Sequence, residues 1–131
     1  MKKILIVDDE LDMRIFLSAV FETSGYQSMV ARDGTAGLQK AREIAPDLIV
    51  LDVMMPGKGG VNMYRELRED VLFKDTPILM LSAVSEESFL DYLKMVNVQL
   101  EASIALPNAY LEKPPEPDDV LETTRRLIGN P

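Results

Sequence analysis

The sequence predicts an α/β fold: a doubly wound, five-stranded parallel sheet in the order 2-1-3-4-5, with helices on both faces. Three observations carry this. Short continuous apolar runs recur along the chain, rich in Ile, Val and Leu as strands buried on both faces must be. Segments with helical periodicity and recognisable ends separate them. The alternation is regular, which implies right-handed crossovers between parallel strands.

The strong strand candidates are Ile4–Val7, Leu48–Leu51 and Ile78–Leu81, with weaker ones at Tyr26–Ala31 and Ala109–Leu111. A first helix is expected from about Asp9 to Ser24, stopping at Gly25, which suits a left-handed cap. The second, near Thr35–Ile44, is cut by Pro46. The third spans roughly Val61–Val71, with Val61, Tyr64, Leu67 and Val71 on one face. Ser85 is a fitting N-cap for the fourth, and Glu86 and Glu87 suit its positive end. The fifth covers about Asp118–Ile128 and ends at Gly129.

The 131 residues fit one domain, residues 1–131, with no internal repeat, low-complexity tract or Gly/Ser linker. A 47% hydrophobic and 27% charged composition is that of a folded globular chain. With no cysteine, disulfides, thiolate catalysis and cysteine zinc sites are excluded. With no histidine, His-centred triads and a phosphohistidine relay on this chain are excluded too. The net charge of −8 argues against binding a nucleic-acid backbone. The opening Met1-Lys2-Lys3 and its apolar run resemble a signal peptide only superficially, because the run ends on Asp8-Asp9. No stretch approaches the ~18 to 20 apolar residues of a membrane span, so a cytoplasmic location is expected.

In the expected topology the ligand crevice lies at the carboxyl ends of strands 1 and 3. Asp8, Asp9 and Glu10 follow strand 1, Asp52 ends strand 3, Ser82 and Ala83 end strand 4, and strand 5 runs into Lys113. Singly, each has a plain structural reading: a turn or capping acid, a capping hydroxyl, a solvated lysine. Together, on successive strand ends, they point to one site. Two carboxylates ~4 Å apart repel by ~4 kcal/mol at an effective dielectric of ~20. Gathering Asp8, Asp9 and Asp52 therefore calls for a cation, and Mg²⁺ (or Mn²⁺) is the hard ion that suits oxygen donors. One divalent ion and Lys113 would balance the three acids.

Four segments carry a family resemblance: Ile4-Leu5-Ile6-Val7-Asp8-Asp9-Glu10, Asp47 to Pro56 through Asp52-Val53-Met54-Met55, Pro77-Ile78-Leu79-Met80-Leu81-Ser82-Ala83, and Tyr110-Leu111-Glu112-Lys113-Pro114. In this order and at these separations the chain resembles, along essentially its whole length, the receiver domain of two-component response regulators, with its flavodoxin/CheY-like fold. The resemblance implies that Asp52 is the phosphoacceptor. Asp9 would ligate Mg²⁺ directly, Asp8 largely through water, and the Val53 backbone carbonyl would be a further ligand. Lys113 would pair with a phosphoryl oxygen, Ser82 would donate its hydroxyl to the phosphoryl group, and the small Ala83 would leave the approach to Asp52 open. Tyr110 matches the family's aromatic switch residue; its plainer reading is a half-buried ring with a wet hydroxyl. The Lys113–Pro114 pair resembles the family's cis peptide, aiming the lysine inward. Pro115 and Glu116-Pro117, where relatives usually carry an apolar residue, make the entry to the last helix stiffer.

The chain also departs from the family spacing. Asp52 and Ser82 stand 30 positions apart, as in relatives, but Ser82 and Lys113 stand 31 apart, longer by roughly two to three helical turns. Leu106-Pro107-Asn108 replaces the usual Gly-Ala turn. The added length is expected to extend the fourth helix, with Phe89, Leu93, Val96 and Leu100 as its core stripe. Met95, Val98 and Ala102 would then either tuck against their own loop or form a partner surface. The eight methionines read as gap fillers, and the Met54-Met55 pair is ordinary for the loop of the family it resembles.

The expectation is a single-domain receiver that switches by phosphorylation and is not an enzyme on a separate substrate. A sensor histidine kinase or histidine phosphotransfer protein would donate the phosphoryl group. No output domain follows the fifth helix in this sequence, so, unless it is a fragment of a longer chain, output is expected to pass to a downstream protein target or a homodimer via residues 85–128, without direct nucleic-acid binding or membrane insertion. Two rivals are weaker. An aspartyl phosphatase of the haloacid-dehalogenase type needs an acid two residues after its nucleophile, where Met54 stands. A flavodoxin-like phosphate loop after strand 1 would face the repulsion of Asp8-Asp9-Glu10.

Overall fold

The computed structural model describes residues 1–53 and 60–131. Strands and helices alternate as β1 (Lys3–Val7), α1 (Leu11–Thr23), β2 (Gln27–Ala31), α2 (Gly34–Ile44), β3 (Leu48–Leu51), α3 (Gly60–Glu69), β4 (Ile78–Ser82), α4 (Glu86–Gln99), β5 (Ala109–Glu112) and α5 (Pro117–Ile128). The strands form one sheet in the order β2-β1-β3-β4-β5, with every neighbouring pair parallel. The doubly wound expectation is met.

Strand periodicity explains why the sheet needs both coats. Leu5, Val7, Ile49, Leu51, Ile78 and Met80 point to the face covered by α2, α3 and α4. Their alternates Ile4, Ile6, Leu48, Val50, Leu79 and Leu81 pack with Leu17 and Phe21 of α1 and Val120 of α5. Side chains two apart share a face, so an unbroken apolar run is what a doubly covered strand requires. Truncating one of these side chains to Ala would cost about 2–5 kcal/mol.

Several ends follow local chemistry. Gly25 has φ +99°, the left-handed geometry expected after α1. The Ser85 hydroxyl accepts from the Ser88 N–H at 3.1 Å and caps α4, as predicted. Pro117 opens α5 in the first turn, where its missing N–H costs nothing. α1 starts later than expected, at Leu11, because Asp8 Oδ1 accepts the Glu10 N–H at 2.9 Å and holds that segment as a turn.

Other expectations fail. α3 ends at Glu69, and Asp70 Oδ1 accepts the Leu72 N–H, turning the chain and leaving Val71 82% exposed rather than on the core face. Phe89, Leu93 and Val96 are buried as expected, but Leu100 is the C-cap of α4 and is exposed. α4 ends at Gln99, and residues 100–108 form a connector to β5. Asn97 causes this by pairing with the Ile104 backbone, accepting its N–H at 3.0 Å and donating to its carbonyl at 3.3 Å. Ala102 thereby packs on the core, whereas Met95 and Val98 face solvent. The Tyr64 hydroxyl donates to the Ala105 carbonyl, and Asn108 Oδ1 accepts from Ile78 N–H and Arg68 Nη2, seating the start of β5 beside β4. Met54, Met55 and Pro56 lie outside the described residues.

Candidate functional site

Strand register assembles the site. Val7 pairs with Leu51, so the next residues, Asp8 and Asp52, emerge side by side from adjacent strands. The Asp52 N–H donates to the Val7 carbonyl at 3.0 Å, closing the ladder at that point. On the other flank Ser82 pairs with Glu112, and the Lys113 N–H donates to the Ser82 carbonyl at 2.8 Å. Gly60, the first residue of α3, lies so close to the Asp52 carbonyl that a Cβ there would stand 1.7 Å from its oxygen. Only glycine lets α3 begin against the end of β3.

Asp8 and Asp52 are almost fully buried, at 2% and 3% exposure, whereas Asp9 and Glu10 are exposed. One carboxylate oxygen from each of these four residues falls within 4.8 Å of the others. Lys113 Nζ reaches into the cluster, 2.8 Å from Asp8 Oδ2, 3.1 Å from Asp52 Oδ2 and 2.6 Å from Glu10 Oε1. Its peptide bond to Pro114 is cis, as the resemblance implied. Burial works against the ammonium charge, but hydrogen bonds to Asp8, Glu10 and Asp52, with the charge of Asp52, outweigh it and hold the lysine above its ordinary pKa. Asp8 is dominated by burial, which raises its pKa against the lowering by Lys113 and the Glu10 N–H.

The remaining predicted residues border this cluster. Ser82 is fully buried and its Oγ accepts the Val84 N–H at 3.2 Å. Ala83 is exposed next to it, and Val53 is buried directly after Asp52. The Tyr110 hydroxyl donates to the Val84 carbonyl at 2.6 Å, and its ring lies 5.5 Å from that of Phe89. Burial pushes this phenol up, opposed by a hydrogen bond with Ser82 and helped by the charges of Glu112, Asp52 and Glu86. The half-buried Tyr110 is thus tied through its hydroxyl to the backbone between β4 and α4.

Sequence reasoning quoted Glu10 within a motif without giving it a part. The usable signal was a third consecutive acid at a strand end, before the first turn of a helix. Arg14, one helical turn further, was also passed over; its Nη1 donates to the Asp8 carbonyl at 2.7 Å.

The donor set of Asp8, Asp9 and Asp52 suits a hard divalent cation. It is all carboxylate oxygen, carries more negative charge than one lysine offsets, and is closely grouped.

Residues 4–125 match the family model described as the response regulator receiver domain. The chain is 41% identical over 127 residues to the alkaline phosphatase synthesis transcriptional regulatory protein PhoP of Bacillus subtilis, covering 97% of this chain and 48% of that protein. It is also 41% identical over 86 residues to the phosphate regulon transcriptional regulatory protein PhoB of Pseudomonas aeruginosa, covering 66% of this chain and 38% of that one. It thus spans less than half the length of these relatives. The chemotaxis response regulator CheY4 of Vibrio cholerae superposes with TM-score 0.81 at 31% identity, covering 97% of this chain and 98% of that one. The Francisella response regulator 1452 receiver domain superposes at 0.80 and 29%, covering 98% and 97%. Among the described residues no helix is long and apolar enough to cross a membrane. With a carboxyl-edge cluster in the expected fold and a family match over nearly all its residues, this chain belongs to the response regulator receiver domains of two-component signalling.

Proposed function

We propose that residues 1–131 form a phosphorylation switch in which Asp52 accepts a phosphoryl group from a phosphohistidine on a sensor histidine kinase or histidine phosphotransfer protein. A carboxylate oxygen of Asp52 attacks phosphorus; the P–N bond breaks, its electron pair returns to the donor imidazole, and a P–O bond forms. The observation that carries this reading is the ammonium of Lys113 held 3.1 Å from Asp52 within a tight group of carboxylates. Lys113 is placed to bind a phosphoryl oxygen as a compact positive charge. Asp8, Asp9, Asp52 and the Val53 carbonyl would hold Mg²⁺ (or Mn²⁺), which supplies neutralisation of charge on the transferring group. Ser82, whose Oγ accepts the Val84 N–H, would donate its hydroxyl hydrogen to the phosphoryl group, and Tyr110, tied to the neighbouring Val84 carbonyl, would respond. Ala83 leaves the entrance uncrowded.

The acceptor acts once per phosphoryl group and turns over no separate substrate. Output would pass through residues 85–128 to a downstream protein or a second copy in the cytoplasm, without direct nucleic-acid or membrane contact. The test is incubation with acetyl phosphate, with and without Mg²⁺, read by intact mass. Wild type should gain one phosphoryl group only with the metal, and Asp52→Asn none; a stable acyl phosphate on Asp52→Asn would refute the assignment.

A further inference from the structure

Lys113 holds more partners than phosphoryl binding needs. An ammonium has three N–H donors. All three are taken by carboxylates: Asp8 at 2.8 Å, Asp52 at 3.1 Å and Glu10 at 2.6 Å. An incoming phosphoryl oxygen, before it is bonded to Asp52, can reach Lys113 only if one of these bonds opens.

The three partners are not equally free to leave. The side chains of Asp8 and Asp52 are 3% and 4% exposed, and Asp8 is further fixed by the Glu10 N–H at 2.9 Å. The Glu10 side chain is 60% exposed and sits on the solvent side of the lysine. A carboxylate released there returns to water at little cost, whereas one released from the buried pair stays desolvated. Glu10 also places a negative charge at the mouth through which an anionic donor must come.

We propose that Glu10 is a positioning residue that holds the third donor of Lys113 in the resting receiver and swings to solvent when a phosphoryl oxygen arrives. It keeps the lysine directed into the crevice and sets a threshold that the incoming phosphoryl group must overcome. This inference rests on the phosphoacceptor reading of Asp52.

The test compares wild type, Glu10→Gln and Glu10→Ala for phosphorylation by acetyl phosphate, with rates measured across donor concentration, salt and Mg²⁺. A neutral amide competes less well than a carboxylate for an ammonium, so Glu10→Gln should lower the half-saturating donor concentration by about five-fold. Glu10→Ala should lower it at least as much, with the limiting rate unchanged and the advantage shrinking as salt rises. Calorimetric Mg²⁺ affinity should fall by less than about ten-fold, the effect of losing one nearby charge in water rather than a ligand. Unchanged half-saturation in both variants overturns the proposal. So does slower phosphorylation with Mg²⁺ binding weakened by more than that, which would make Glu10 a metal ligand. A wild-type protein that takes no phosphoryl group would instead sink the underlying phosphoacceptor reading, while Asp52-dependent labelling without a Glu10 effect sinks this inference alone.

Discussion

Lys113→Met removes the cation that, among the described residues, sits between the buried Asp8 and Asp52, while keeping the volume of the side chain. Its consequence can be worked from the geometry. Oxygens of Asp8 and Asp52 lie within 4.8 Å of each other, so two full charges repel by about 3.5 kcal/mol at an effective dielectric of ~20. Neither acid is solvated enough to screen that repulsion. The variant should lose about 3–5 kcal/mol of stability near neutrality in the absence of divalent ions, the range for an ion pair broken on one side. The loss must depend on pH. Asp8 already has a folded pKa above its ordinary 3.8, and removing Lys113 raises it further. A carboxyl group raised on folding contributes stability that is complete below the unfolded value and is lost as pH climbs through the folded one. Urea unfolding followed by circular dichroism should therefore show the deficit large near neutrality and nearly gone at about pH 4. Saturating Mg²⁺ should recover much of it at neutral pH. An equal deficit at both pH values, unmoved by Mg²⁺, would refute the account of the cluster as charge held in check by Lys113.

Asn97→Ala deletes both bonds that fold the connector onto α4 and should cost about 1–2 kcal/mol in urea unfolding, with faster amide exchange at Ile104 as the local signature. Replacing Met95 and Val98 with Lys should leave stability within about 0.5 kcal/mol, because both face solvent, yet weaken any phosphorylation-dependent self-association seen by ultracentrifugation. Burial raises the pKa values of Tyr26, Tyr64 and Tyr110 above the ordinary 10.0. Neutral phenols favoured on folding stabilise fully below that value and progressively less as pH rises through their folded values, so ultraviolet tyrosinate absorbance and loss of helix should rise together in alkali.

The sheet and its order were legible because strands covered on both faces write themselves as unbroken apolar runs, and Ile4–Val7, Leu48–Leu51 and Ile78–Leu81 are such runs. The acids and the lysine were legible for the same reason: each stands directly after a strand, and register then brings them together. What escaped depended on single side chains acting across the fold. The end of α4 is set by Asn97 reaching Ile104, and a helical wheel, blind to that bond, carried its stripe on to Leu100. Val71 fits the face of α3 by periodicity, but Asp70 turns the chain first. Glu10 has no periodic signature, since its partner is 103 residues away.

The connector gains meaning from what it touches. Tyr110 pairs with Met80 across the β4–β5 ladder and stacks near Phe89 of α4, and Phe89 meets Tyr64 of α3 edge-on at 6.2 Å. Tyr64 in turn donates to the Ala105 carbonyl and lies beneath the Arg68 guanidinium. Contact alone is not coupling. These rings lie within or against one hydrophobic cluster, and Phe89 also borders a cavity of about 350 Å³ lined by Val53, Val61, Val84, Ser88 and Tyr92, so a displaced ring can press on its neighbour or move into that space. Under the proposed function, the groups nearest the phosphoryl are Ser82 and, through Val84, Tyr110. A change in the Tyr110 ring would then meet Phe89 of α4 and the cavity beside it, and the connector stands one ring further on, behind Tyr64. The connector over residues 100–108 therefore sits at the far end of the only aromatic row, among the described residues, that starts at the site.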